Sequence, residues 1–435
     1  MSGPSGLGAA VLAMLVLVAA GCGGSPERVQ VGLLRECSGL LAATKDGAVA
    51  GAQLPLLRRG ARLRRDGSRL ENARVGGVEI ELVPACTETG RLTQLIAETR
   101  WLVEAKGADV VIGPLGTSEG ALMRTLARKY PDVTFLIGWG LAQEATLRDP
   151  LPNLFRFTPD GAQDSAGLGS YAFRELGWRK AAVVTEGYNA GFELAAGFVA
   201  EFCALGGRIV ERDYESMFSP DPAAAAKRHA AKADGVALLS TYSSPVPYLR
   251  RYAAAVGGPL GGRLVESGSA VGDPTALKPP GADMTGVVLG GVISPASSDP
   301  ELTTYVKAFR RAFPALHPAT ALFDATTAPY GAMEALARAL EQTRGKGGPE
   351  LRRTLSGLEL ELPTGPVRLD ANRQAISRIT LQRVVHRAGG APTLEPVRLI
   401  DGVTQGFGGI FTATTQPPTW NVPRCERRTP PPWAQ

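Results

Sequence analysis

The chain has 435 residues, 44% of them hydrophobic, and carries 47 Lys and Arg against 41 Asp and Glu for a formal net charge of +6. That is the balance of an ordinary soluble globular protein, and the length exceeds what a single hydrophobic core serves, so two domains are expected. Six arginines crowd between Arg58 and Arg69 and would suit nucleic acid or an anionic membrane face, but without interleaved aromatics they read as a solvated helix face and loop, and no nucleic-acid partner is expected.

In chain order, the first feature is an uncharged apolar run from Leu7 to Ala20, closing in the string VAAGC with Cys22 as its last letter. The run is too short to span a bilayer, which takes about 20 helical residues, but it fits the core of a secretory signal. No Lys or Arg precedes Leu7, unlike most such signals. The small Ala20 and Gly21 suit a signal peptidase, and the string resembles a bacterial lipobox. The resemblance implies a signal peptide over 1–21 and a tether over 22–28 that begins at a lipidated Cys22. The protein is then exported and lipid-anchored on the extracytoplasmic side of a membrane, at the periplasm or cell surface.

Beyond the tether, β-branched runs alternate with amphipathic stretches, which predicts α/β architecture with parallel sheets and crossover helices. The strands are read at 29–34, 78–83, 109–113, 133–138, 180–185, 208–214 and 235–240. Helical patterns follow, among them GFELAAGFVAEFCALGG, PELTTYVKAFRRAF and FDATTAPYGAMEALARALEQTRG. The segment GPVRLDANRQAISRITLQRVV alternates apolar and polar residues on both sides of DANRQ, the mark of an antiparallel hairpin. The last twenty residues, 416–435, are rich in Pro and polar types and read as an extended tail.

With Cys22 set aside, Cys37, Cys86, Cys203 and Cys425 form an even set in an oxidising compartment, compatible with three pairings. Cys37 and Cys86 each stand just past a β-rich run, so neighbouring parallel strands would join them. Cys203, on a helix, would then staple Cys425 in the tail. No CxxC or HxxxH spacing argues for a metal site.

Several blocks, in order, resemble the leucine/isoleucine/valine-binding family of type I periplasmic solute-binding proteins. They are VGLLRECSGLLAATKDGAVAGAQL, ADVVIGPLGTSEGALM, LFRFTPDGAQDSAGLGSYAFRELGWRKAAVVTEGYNAG, APYGAMEALARAL and LPTGPVRLDANRQAISRITLQRV. The resemblance runs from about Val29 to Val385. It implies two Rossmann-like lobes joined by three crossing segments, near Arg156, Ile293 and Leu362. The N-terminal lobe would hold 29–156 and 294–361, the C-terminal lobe 157–293 and 362–415. A small polar solute would bind in the cleft and pass to the permease subunits of an ABC importer. The protein would act as a monomer, without cofactor or catalysis.

The resemblance also places the site. Thr117 and Ser118 open a helix directly after a strand and turn, where unpaired amides and two hydroxyls can hold a carboxylate or carbonyl. Tyr188 and Tyr242 follow strands of the second lobe and would reach across the cleft. Thr44 and Trp139 are further candidates for the ligand's surroundings. Where amino-acid binders carry a Thr after the fourth strand, this chain has Ala142. Where they carry an acid for the ligand's ammonium, it has Ser269, with Glu266 and Asp273 nearby. The solute is read as amino-acid-like, amide or carboxylate, with an α-amino acid itself less suited and amides, carboxylates, aromatic acids and small neutral solutes all open.

Two other classes fit parts of the sequence. A sensor or receptor would use the same two-lobed fold without transport. A secreted serine hydrolase would use Ser118, since Gly116–Gly120 reads G-x-S-x-G. Gly113 and Pro114 separate that motif from its strand, and only His229, His317 and His386 could supply a base.

Overall fold

The computed structural model describes residues 28–64, 70–216, 219–241, 245–267, 277–386 and 390–435. The apolar leader, Cys22, Tyr242, Ser269 and Asp273 lie outside them.

The chain opens with β1 (Arg28–Ser38), α1 (Lys45–Leu57), a ribbon of β2 (Arg62–Leu63) and β3 (Leu70–Glu71), then β4 (Arg74–Val75) and β5 (Val78–Glu88). It continues through α2 (Leu92–Arg100), β6 (Val110–Ile112), α3 (Thr117–Lys129), β7 (Thr134–Ile137), α4 (Glu144–Leu147) and β8 (Leu154–Arg156). These form a six-stranded sheet in the order β4-β5-β1-β6-β7-β8, parallel except for β4. β1 reads as a continuous apolar run because it is covered on both faces. Val31 and Leu33 pack toward α1, while Leu34 meets Leu95 of α2 and Met123 of α3.

After β8 the chain leaves this sheet. α5 (Gly161–Asp164), α6 (Leu168–Arg174), β9 (Lys180–Thr185), α7 (Asn189–Ala204), β10 (Arg208–Asp213), α8 (Ala223–Lys232), β11 (Gly235–Leu239), α9 (Val246–Val256), β12 (Leu264–Ser267) and β13 (Val288–Gly291) build a second. The chain then returns through α10 (Pro300–Ala312), α11 (Asp324–Thr343) and α12 (Gly348–Ser356). It crosses a third time into β14 (Glu359–Leu362), β15 (Gly365–Leu369), β16 (Ala375–Val385) and β17 (Thr393–Val403). The second sheet runs β10-β9-β11-β12-β13-β16-β15-β14, with β17 on β16. It is parallel from β10 to β13 and antiparallel beyond, so the predicted hairpin is β15–β16. The result is the expected pair of α/β lobes.

Two arginines depart from the solvated face read from the sequence. Arg59 forks onto Glu334 at 2.7 and 2.9 Å and also meets Glu341, while Arg58 meets Glu301 at 2.7 Å. The reason is packing: α11 lies so close to α1 that a Cβ on Gly51 would stand 2.1 Å from the Thr326 carbonyl. The acids of α10 and α11 thus fall within reach of the end of α1.

The lobes meet around a fully buried guanidinium. Arg156 donates Nε to Gln374 Oε1 at 2.6 Å, Nη1 to the Gly140 and Ala142 carbonyls at 2.7 and 2.8 Å, and Nη2 to Thr146 Oγ1 at 3.0 Å. Asp160 Oδ2 stands 4.0 Å away and accepts from Gln405 Nε2 at 2.7 Å. Gln163, in a capping box with Asp160, donates to the Ala375 and Val403 carbonyls, both at 2.8 Å. Strands β8, β16 and β17 are thereby tied at one point.

Two disulfides join Cys37 to Cys86 and Cys203 to Cys425. The first links the ends of adjacent parallel β1 and β5, where Arg35 pairs with Cys86 in the register. The second holds the tail to α7. Arg174 and Arg398 add hydrogen bonds to the Ala434 and Trp433 carbonyls at 2.9 and 2.6 Å.

Breaking a buried ion pair from one side strands the other charge, at about 3–5 kcal/mol. Arg156→Met should therefore lower stability by about that much in urea unfolding. The double variant Arg156→Met with Asp160→Leu should recover part of the loss.

Candidate functional site

In parallel α/β sheets, ligands bind beyond the carboxyl ends of the strands, where helix N-termini gather. Here those ends face each other. β6 runs into Gly113, whose φ of 111° favours glycine and where a Cβ would lie 2.6 Å from the Leu34 carbonyl. That bend carries the chain through Pro114 and Leu115 to the start of α3. From the other lobe, α7 begins directly after β9, and Asn189 Nδ2 donates to Ser118 Oγ across the gap at 3.1 Å.

Thr117 occupies the first position of α3. It is 4% exposed, yet its Oγ1 has no hydrogen-bond partner, and no side chain caps the helix. Behind it, Glu36 at the end of β1 accepts from the Leu115 and Gly116 amides at 3.2 and 3.0 Å. Burial, reinforced by the charge of Glu119, outweighs those amides and pushes the Glu36 pKa up to about 7. Glu119 itself accepts from the Gly90 amide, fixing α3 against the loop after β5.

On the second lobe, Glu186 is the organiser. Its Oε1 accepts from the Thr241 amide at 2.9 Å and from Ser240 Oγ at 3.1 Å, drawing the end of β11 against that of β9. Tyr188 is half-buried, its hydroxyl 2.6 Å from Thr241 Oγ1. Burial and then the Glu186 charge raise its pKa, so it stays a neutral donor and acceptor.

Thr117, Ser118 and Tyr188 thus lie on helix starts that meet between the lobes. Thr44 and Trp139 also make contacts within their own lobe. Thr44 Oγ1 donates to the Leu41 carbonyl at 2.7 Å, and Trp139 packs with Leu41, Ala48, Leu115 and Ala325. Asn189, Glu186, Thr241 and Glu36 escaped the sequence reading. Asn189 alone carried a signal, standing beside Tyr188 at the start of a helical pattern.

Glu266 is paired in register with Leu238 and Leu289, both part of the apolar layer beneath α8 and α9. Its oxygens have no partners, and burial pushes its pKa up to about 8. The hydrolase reading fares poorly against this geometry. Ser118 meets an amide rather than a base, His229 Nδ1 pairs with the Tyr248 hydroxyl at 2.7 Å, and His317 Nδ1 accepts from the Ala319 amide at 3.3 Å.

The family model described as periplasmic binding protein matches residues 28–391. The chain belongs to the periplasmic binding protein family. No curated protein matches it. Among solved structures, this periplasmic binding protein is similar to an ABC transporter substrate-binding protein from Sphaerobacter thermophilus. Identity is 25% and the TM-score 0.76, over 87% of this chain and 99% of that one. An R. palustris solute-binding protein in complex with benzoate shares the fold at 22% identity and TM-score 0.70, over 87% and 97% of the two chains. A leucine-binding protein from Thermotoga maritima does so at 16% and 0.67, over 86% and 99%. Among the described residues of this family member, no helix is long and apolar enough to cross a membrane.

The raised pKa of Glu36 has a stability consequence. Between its ordinary 4.5 and about 7 the folded state keeps a proton that the unfolded chain has lost. Stability from this group is full below about 4.5 and fades as pH rises through 7. Glu36→Gln, which mimics the protonated acid, should gain melting temperature relative to wild type at pH 8 and little at pH 5.

Proposed function

We propose that this chain is the solute-binding component of an ABC-type importer, lipid-anchored through Cys22. It captures a small carboxylate-bearing solute, aromatic acids foremost, between its lobes and delivers it to permease subunits. The observation that carries the reading is the buried, unpartnered Thr117 hydroxyl at the uncapped start of α3. A buried polar group without a partner costs about 1–3 kcal/mol, a cost that a ligand oxygen would remove. The positive end of the helix favours an anion in the same place.

Ser118 lies beside Thr117, and opposite them Tyr188 and Asn189 offer one ring and several polar atoms, enough to orient a planar ligand. Tyr242 belongs to the same proposed set through its place in sequence after β11. The argument against an α-amino acid is electrostatic: a buried ammonium needs a carboxylate partner, and the Glu186 carboxylate beside Tyr188 already accepts from the Thr241 amide and the Ser240 hydroxyl. Glu266 lies in an apolar layer, where burial pushes its pKa up to about 8 and disfavours the charged form. The benzoate held by the R. palustris relative supports the aromatic-acid class, and the leucine-binding relative keeps amino acids as the comparison arm.

The test is a thermal-shift and calorimetric series on the chain starting after Cys22, with benzoate, 4-hydroxybenzoate, leucine and small amides. A ligand at about 100 times its dissociation constant adds about 2.7 kcal/mol of stability. Benzoates are expected to raise the melting temperature, and Thr117→Ala to weaken their binding about tenfold or more, equivalent to about 1.4 kcal/mol. Leucine binding without benzoate binding would overturn the carboxylate reading, and unchanged affinity in Thr117→Ala would overturn the site.

A further inference from the structure

Far from the interlobe site, the outer edge of the second sheet carries a three-residue cluster that solute binding does not use. Glu211 and Asp213 lie on β10 at i and i+2, so they share one face of the strand. His229 on α8 is completely buried, and its Nε2 has no hydrogen-bond partner. That nitrogen stands 3.4 Å from Glu211 Oε1 and 3.4 Å from Asp213 Oδ2. All three donor atoms lie within 4.8 Å of one another.

The spacing decides between two explanations. A well-formed N–H···O bond brings nitrogen to about 2.7–3.2 Å of one oxygen, whereas here the nitrogen is equally far from two. In a tetrahedral site with bonds of about 2.0–2.2 Å, neighbouring ligand atoms stand about 3.3–3.6 Å apart. We infer that Glu211, Asp213 and His229 form a divalent transition-metal site, with zinc the best-suited ion and a solvent molecule as the fourth ligand.

The surroundings fit the chemistry. The other ring nitrogen of His229 meets the Tyr248 hydroxyl at 2.7 Å, which can fix the tautomer that leaves Nε2 free to ligate. The Ser216 hydroxyl and the Ser216 and Glu215 amides donate to the Asp213 carboxylate and hold it in place beside the His229 ring. A surface cavity of about 360 Å³ bordered by both acids, Ser216, Arg228 and Trp420 gives access. The mixed imidazole and carboxylate set disfavours calcium and magnesium, which take oxygen ligands.

A resident cation competes for the place. Arg228 Nη2 lies 2.8 Å from Glu211 Oε1 and 4.0 Å from Asp213 Oδ2, and Lys232 Nζ lies 3.8 Å from Glu211 Oε2. Both side chains are about half exposed. A metal therefore displaces the Arg228 head into water, and removing that head should tighten binding.

The experiment is isothermal titration of the metal-free protein with zinc chloride at pH 7, with magnesium and calcium chlorides as controls. Wild type should bind one zinc ion and neither control ion. Glu211→Gln, at the rim of the cluster, should weaken zinc binding at least tenfold, and Arg228→Ala should strengthen it. His229→Gln should abolish it, with circular dichroism verifying the fold. Absence of zinc binding in wild type overturns the inference even if Arg228→Ala binds, because the cluster is then an arginine-held ion pair. Zinc binding unchanged in Glu211→Gln overturns it as well, since the ion then sits elsewhere.

Discussion

The architecture depends on one charge that water never reaches. The Arg156 guanidinium spends its donors on two lobes at once, on the Gly140 and Ala142 carbonyls of the first and on Gln374 beside β16 of the second. Desolvating a guanidinium is expensive, and only a nearly complete set of acceptors offsets it. The loop after β7, the start of α5 and the turn before β16 must therefore hold their positions together. That requirement fixes the pivot about which two otherwise separate sheets can be arranged, and hinge closure needs such a fixed pivot.

The two lobes divide the work around that pivot. In the first, α1 and α11 pack almost backbone to backbone at Gly51, which makes the helix pair a stiff back wall for the sheet. In the second, Glu186 gathers the ends of β9 and β11. The Asn189–Ser118 hydrogen bond is a direct contact between the two lobes.

Much of this was legible in the sequence because the physical signals were local. Buried apolar runs marked β6, β7, β9 and β11, while β1, β5 and β10 showed as β-branched residues interspersed with charged or polar ones. β8 (LFR), β12 (LVES) and β13 (VLGG) carry polar residues or glycines within a few positions and show no clear run, and β17 is largely exposed. The positions of Thr117, Ser118 and Tyr188 followed from strand-to-helix transitions. The roles of Glu36, Glu186 and Asn189 did not, because each acts on a partner far away in sequence. The same holds for His229, which stands 16 and 18 residues from its acidic neighbours, with no motif spacing to announce it.

The Cys203–Cys425 bond makes the carboxyl terminus part of the second lobe rather than an appendage. Trp420 lies 5.0 Å from Tyr214 ring to ring, and Arg212 holds the Trp420 carbonyl at 3.3 Å. In a reducing compartment this segment would keep only such noncovalent ties, while both sheets would be unaffected in their strand pairing. Recombinant material made in a reducing cytosol and material exported to an oxidising space would thus differ in a loosened end, visible as altered tryptophan emission and protease sensitivity. The oxidised form is the one in which labels on the terminus report faithfully on the motion of the second lobe.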